Sequence, residues 1–236
     1  MQVRIYPTKQ EVAVKFSIFF ADLVASNKTL NVALSGGSTP KIVFDYLAEN
    51  YSDLDWTKVH FYWGDERCVP PTDDDSNYKM TLAHLLSKIA IPEQNIHRIQ
   101  GENDPQKEAV RYSAVLEKEL PSEHKIPKFD LVILGMGDDG HTASIFPHEI
   151  QLWEAKNHCV VALHPDSGQQ RVSITGSIIN NADLVAFLVT GVSKTKKVQE
   201  IIKETGDFKK YPATLVKPSS RKLIWFLDED AAAGIR

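Results

Sequence analysis

The chain is expected to fold as an α/β protein, a mostly parallel sheet with helices on both faces. Short, β-rich apolar runs alternate with segments of helical period from one end to the other. Several of those runs end in glycine-rich or polar turns, and open α/β sheets bind ligands beyond the carboxyl ends of their strands. No internal repeat, low-complexity tract or long linker divides the chain, so residues 1–236 are expected to form a single domain.

Residues 3–6 form a short leading strand. Thr8-Lys9-Gln10-Glu11 is a capping box, with Thr8 accepting from a first-turn N–H and Glu11 reaching back. Val12, Phe16, Phe19 and Leu23 follow at helical spacing and define a face that packs on a sheet. Residues 30–34 are a buried strand running into Ser35-Gly36-Gly37-Ser38-Thr39-Pro40. With Thr39 as cap and Pro40 at the first helical position, a helix follows through Ile42, Val43, Tyr46 and Leu47. A strand, a glycine-rich turn and a helix start make an anion cradle, because free N–H groups and the helix dipole face the turn. The spacing is neither a P-loop nor a dinucleotide fingerprint.

Residues 59–63 are the next strand, ending in the turn Gly64-Asp65-Glu66-Arg67. The acidic run 73–75 is a solvated loop. Ser76-Asn77 opens a helix carrying Met80, Leu82 and Leu85. Residues 96–99 are a short strand, and Asp104-Pro105 opens a long helix with Ala109, Tyr112, Leu116 and Leu120 inward. Leu131-Val132-Ile133-Leu134 is a buried strand that breaks into Gly135, Gly137 and Gly140, with Asp138, Asp139 and His141 among and after them. Strands at 160–163, 171–175 and 184–189 follow. Thr190-Gly191-Val192-Ser193-Lys194 then feeds a helix with Val198, Ile201 and Ile202, closed by Gly206, before a last strand at 223–227.

Bulk properties narrow the function. Hydrophobic residues make up 42% of the chain and charged ones 25%, with a formal net charge of -4. There is no global basic field for nucleic acid or an anionic membrane, so an anionic ligand has to be held by a local cluster of Lys and Arg. No apolar run approaches membrane-spanning length. The N-terminal residues lack the apolar core and cleavage site of a signal peptide. Cys68 and Cys159 are far apart and in no CxxC pattern, so neither a zinc knuckle nor a disulfide scaffold is indicated. A cytoplasmic, reduced protein is expected.

Parallel strands place the turns 35–39, 65–67, 135–141 and 191–194 on one edge of the sheet. That gathers an anion cradle, cations and a histidine in one cleft, suited to an anionic substrate with a reactive carbonyl or sugar centre. His141, in a Gly/Asp loop after a buried strand, reads as catalytic rather than as a structural helix-start histidine. Asp139 reads as functional ahead of a simple cap. Asp138 reads as solvent-facing or turn-forming. Arg67 is divided between a site role and an ion network with Asp65 or Glu66. Arg171 and Lys194, taken alone, read as surface charges. The other histidines show no metal-ligand spacing.

The chain resembles the 6-phosphogluconolactonase family, within the wider group that includes glucosamine-6-phosphate deaminase. LSGGSTP (34–40), WGDERCVP (63–70) with SNY (76–78), GMGDDGHTASIFP (135–147), RVSIT (171–175) and TGVSK (190–194) carry the resemblance in the family order. It implies a Rossmann-like fold of the deaminase/lactonase type. It also implies hydrolysis of 6-phospho-D-glucono-1,5-lactone to 6-phospho-D-gluconate in the oxidative pentose phosphate pathway. His141 is then the base that activates water, Asp139 fixes its tautomer, and Arg67 positions the substrate or stabilises the oxyanion. Ser35, Gly36, Gly37, Ser38 and Thr39 hold the phosphate, with Arg171 and Lys194 as charge partners. The chemistry calls for no cofactor or metal, and a monomer or small homo-oligomer is expected.

Two other classes are set beside it: the isomerising deaminase and a non-catalytic sugar-phosphate sensor. Deaminases of the group typically continue past the histidine with Asn-Glu-Pro; here Phe146 stands where that glutamate would be. A sensor would be expected to lose the histidine or carry a DNA-binding module.

Overall fold

The computed structural model describes residues 1–236. In chain order its elements are β1 (Gln2–Tyr6), α1 (Lys9–Ser26), β2 (Leu30–Leu34), α2 (Ser38–Asn50), β3 (Val59–Trp63), β4 (Asp65–Arg67), α3 (Asn77–His84), β5 (Ile96–His97), α4 (Pro105–Glu119), β6 (Ser122–Glu123), β7 (Ile126–Pro127), β8 (Leu131–Leu134), β9 (Cys159–Leu163), β10 (Gln170–Ile174), α5 (Gly176–Asn181), β11 (Val185–Val189), α6 (Thr195–Ile202), β12 (Leu223–Asp228) and α7 (Glu229–Ala232).

Seven strands form one sheet in the order β1-β12-β11-β8-β2-β3-β5. Every pairing in it is parallel. Strands β2, β8, β11 and β12 are buried at every residue, as parallel strands covered on both faces must be. The chain builds outward from β2 to β3 and β5 on one side and from β8 to β11 and β12 on the other. The reversal therefore falls between β2 and β8, and a crevice opens above their carboxyl ends. No helix is long and apolar enough to cross a membrane.

A second sheet, ordered β4-β10-β9, is antiparallel, which the alternation of strands and helices did not reveal. Residues 65–67, expected as a turn, are its strand β4. The reason is geometric. Gly64 bridges the two sheets, its N–H donating to Leu34 O at 2.8 Å and its carbonyl accepting from Ile174 N at 2.8 Å. The chain thus leaves the parallel sheet after Trp63 and pairs at once with β10.

Helix starts follow the expected chemistry with two differences. Thr8, Ser76 and Asp104 each accept a hydrogen bond from the backbone three residues on. Glu11 makes no return bond to Thr8, so only half of that capping box forms. Helix α2 begins earlier than expected, capped by Gly37 rather than Thr39. Gly37 has φ of 108°, open to glycine and strained for other residues, and this lets the helix begin one residue later at Ser38. Thr39 Oγ1 is then free to bond Thr190 Oγ1 at 2.7 Å, tying α2 to the loop after β11.

At the edge of the large sheet His60 Nδ1 lies 3.3 Å from His97 Nε2, and His97 stacks on Tyr62. Burial pushes both imidazoles below their ordinary 6.5, and the His60 charge pushes His97 further. Unfolded histidines protonate near that ordinary value, whereas the folded pair resists. Below 6.5 the unfolded state thus binds more protons, and stability falls as pH drops toward the folded values. A His60→Asn, His97→Gln double variant is expected to flatten the decline of melting temperature below pH 6.5. An unchanged slope would place the acid sensitivity elsewhere.

Candidate active site

One cleft sits at the crevice. The loops after β2, β3, β8 and β11 line it, together with Arg171 from β10 and Asn77 from α3. Of the residues singled out in the sequence, Ser35, Gly36, Gly37, Ser38, Thr39, Arg67, His141, Arg171 and Lys194 all line it. Asp139 does not; it stands behind His141.

The loop after β8 is shaped to hold an imidazole. His141 Nδ1 lies 2.7 Å from Asp139 Oδ1, which also accepts from the His141 backbone N–H at 3.0 Å. Gly137 lies against the ring: a Cβ there would stand 2.1 Å from His141 Nδ1. Gly140 turns the chain with φ of 88°. Burial alone would raise the Asp139 carboxyl, but its hydrogen bond to His141 and the imidazole charge more than offset this and hold it at about 2. Asp139 is therefore a fixed anion at Nδ1, which leaves Nε2 as the working nitrogen. The ring is about a quarter exposed and packs beside Phe146, centroid to centroid 4.6 Å.

The small antiparallel sheet supplies the cations. Its register sets Arg171 opposite Arg67 and Ser173 opposite Asp65, and side chains two apart share a face. Of the polar letters of RVSIT, Arg171 reaches the cleft, while Ser173 is buried and accepts from Ser144 N in the His141 loop. Like charges directly opposite each other are destabilising. Arg98, Arg111 and Arg236 pair with carboxylates, but neither cleft arginine does. Arg67 Nη1 donates to the Asp75 carbonyl at 2.5 Å. Arg171 is 9% exposed, stacks over Phe146 and has a buried Nε without a partner; burial lowers its pKa.

The expected alternative for Arg67, an ion network with Asp65 or Glu66, does not form. Glu66 is buried and accepts from Arg67 N, Ser76 Oγ, Asn77 N and Tyr78 N, so it holds the start of α3 against β4. Asp65 Oδ2 accepts from Ser144 Oγ, anchoring the His141 loop to β4.

Sequence reasoning missed two residues and one pairing here. Asp65 lines the cleft, as does Asn77, whose Nδ2 donates to Asp65 O at 2.9 Å. A Cβ on Gly36 would meet Asn77 Oδ1 at 1.9 Å, so glycine is needed where this amide meets the cradle. Asp138 is exposed and lies in a turn, as expected, and from there it also pairs with Lys194. The SNY motif held the signal for Asn77; no local pattern held one for the Asp138 pairing. No three His, Cys, Asp or Glu side chains cluster as metal ligands.

Fold and cleft define a class, the doubly wound α/β proteins with a cation-lined crevice at the switch point. The comparisons then narrow it. Residues 8–225 match the family model described as glucosamine-6-phosphate isomerases/6-phosphogluconolactonase, and the chain belongs to that family. It is 41% identical over 228 residues to 6-phosphogluconolactonase of Haemophilus influenzae, covering 96% of each chain. It is 45% identical over 195 residues to that of Treponema pallidum, covering 82% of this chain and 81% of the relative. Among solved structures, 6-phosphogluconolactonase from Trypanosoma brucei aligns with TM-score 0.90 at 29% identity over 100% of this chain and 98% of its own. A monomeric glucosamine-6-phosphate deaminase shares the fold, with TM-score 0.84 at 18% identity over 99% of this chain and 100% of its own.

Proposed function

We propose that this protein hydrolyses 6-phospho-D-glucono-1,5-lactone to 6-phospho-D-gluconate, acting as a cytoplasmic carboxylic ester hydrolase of the oxidative pentose phosphate pathway. The observation that carries the anionic part of this reading is Arg171: a buried guanidinium with no salt-bridge partner and an unbonded Nε, set against a second arginine. A desolvated, unpaired charge is costly, and an anionic ligand offsets that cost. The phosphate rests on the first-turn N–H groups of α2, which have no intrahelical partners, and between Arg171 and Lys194. The named lactonase relatives supply the substrate class.

The reaction needs a nucleophile, a stabilised oxyanion and a proton for the leaving oxygen. His141 Nε2 takes a proton from water as its oxygen attacks the lactone carbonyl carbon. Arg67 faces the oxygen on which negative charge develops. Collapse of the tetrahedral intermediate breaks the bond to the ring oxygen, and the imidazolium returns its proton there. Asp139 stabilises that imidazolium and keeps Nε2 turned to the substrate; it is a positioning residue.

Phe146 separates this reading from the deaminase. Where the deaminases carry a glutamate, this chain has a fully buried phenyl ring wedged between His141 and Arg171. Turnover of the phosphorylated lactone at mildly acidic pH, where spontaneous opening is slow, tests the proposal. Lactone hydrolysis without ammonia release from glucosamine-6-phosphate is expected. Ammonia release, or no lactone turnover, would overturn it.

A further inference from the structure

The two charge partners assigned to the phosphate stand in opposite conditions. Arg171 makes no salt bridge, whereas Lys194 Nζ lies 2.5 Å from Asp138 Oδ1, which also accepts from Ser193 Oγ at 3.0 Å. Asp138 belongs to the His141 loop after β8, and Lys194 to the loop after the neighbouring strand β11. Two adjacent carboxylates of one loop therefore face opposite ways. Asp139 holds the imidazole, and Asp138 reaches across to the cation of the cradle. Other groups already fix the Lys194 loop: Gly191 N–H donates to both oxygens of Asp228, and Thr195 Oγ1 to Val192 O and Asp230 O. Asp138 is thus dispensable as a fastener, and its distinctive contribution is charge.

We propose that Asp138 is a resident counter-ion that competes with the substrate phosphate for Lys194 and so limits how tightly the site grips any phosphate monoester. This rests on the assignment of Lys194 to the phosphate. A phosphate monoester brings about 1.5 to 2 negative charges near neutral pH, and the carboxylate beside Lys194 opposes them. The hydrogen bond to Lys194 outweighs the opposing effect of burial and keeps the Asp138 carboxyl below the usual range, so it stays charged while the enzyme works.

The phosphate lies away from the reacting carbonyl and is unchanged by the reaction. Gripping it binds substrate, transition state and product alike, which lowers KM without raising kcat. The product keeps the phosphate and gains a carboxylate. A counter-ion that weakens this uniform term lets the product go.

Asp138→Asn tests the charge while keeping an oxygen for Ser193, and the side chain is 70% exposed, so the fold tolerates it. The inhibition constant of inorganic phosphate is expected to fall by about two- to five-fold, with KM falling alongside, the range of exposed ion-pair strengths. In a Lys194→Met background the same substitution is expected to change both by less, since only direct repulsion is then left to relieve. An unchanged or higher phosphate inhibition constant in Asp138→Asn would overturn the counter-ion role and leave Asp138 a loop fastener. If Lys194→Met alone leaves phosphate inhibition and KM at parent values, the phosphate assignment itself fails, which separates the two failures.

Discussion

Replacing His141 by alanine is expected to lower kcat for lactone hydrolysis by about 10²–10⁴-fold, the usual worth of a positioned general base. KM is expected to move little, because the ring stands at the reacting end and the phosphate contacts stay in place. The melting temperature should hold near that of the parent, since the ring is a quarter exposed and its neighbours are loop residues. Asp139→Asn is expected to lose less turnover, because it acts only through the imidazole. The measurement is initial rate against substrate at mildly acidic pH, with a thermal melt of each variant. Parent-like turnover in His141→Ala would remove the imidazole from the mechanism.

Arg171→Met is expected to have the second large effect, and in two directions. Truncating one partner of a buried charge pair costs roughly 2–5 kcal/mol of binding, about 30- to several-thousand-fold in affinity. That loss should fall on KM rather than kcat, since the phosphate is remote from the carbonyl. The unliganded protein should become more stable. Its cross-strand neighbour is Arg67, it makes no salt bridge, and burial outweighs the nearby Asp65, Asp75 and Glu66 charges and disfavours its own. Replacing an unpaired buried cation with an apolar chain of similar length removes both penalties. A gain of about 1 kcal/mol would raise the melting temperature by about 2–4 °C in a protein this size. A chemical-step loss with unchanged KM would count against the phosphate assignment, and a lower melting temperature against the electrostatic account.

How much of this could be read from the chain varies with the range of the interaction. The α/β class was legible because buried parallel strands are short apolar runs such as Leu131 to Leu134 and helices have their own period. The His141 loop was legible because Gly137 and Gly140 answer local needs: no room beside the ring, and a left-handed turn. The Thr39 cap was misplaced because two interactions compete for its hydroxyl, and the one with Thr190, distant in sequence, wins. Residues 65–67 read as a turn because an edge pairing with β10 leaves no periodic trace in three residues.

The order of residues was enough to establish the kinds of groups present: a flexible glycine loop bearing an acid and an imidazole, a cradle at a helix start, and a few scattered cations. Each depends on neighbours a few positions away, so local chemistry specifies it. Charge pairing is different, because a guanidinium or carboxylate finds its partner through space. Only the folded chain sets Arg67 against Arg171, gives Glu66 to the start of α3, and lends Asp138 to Lys194. Strand order and register make those neighbours, and they arise when the sheets assemble, not from any stretch of sequence alone.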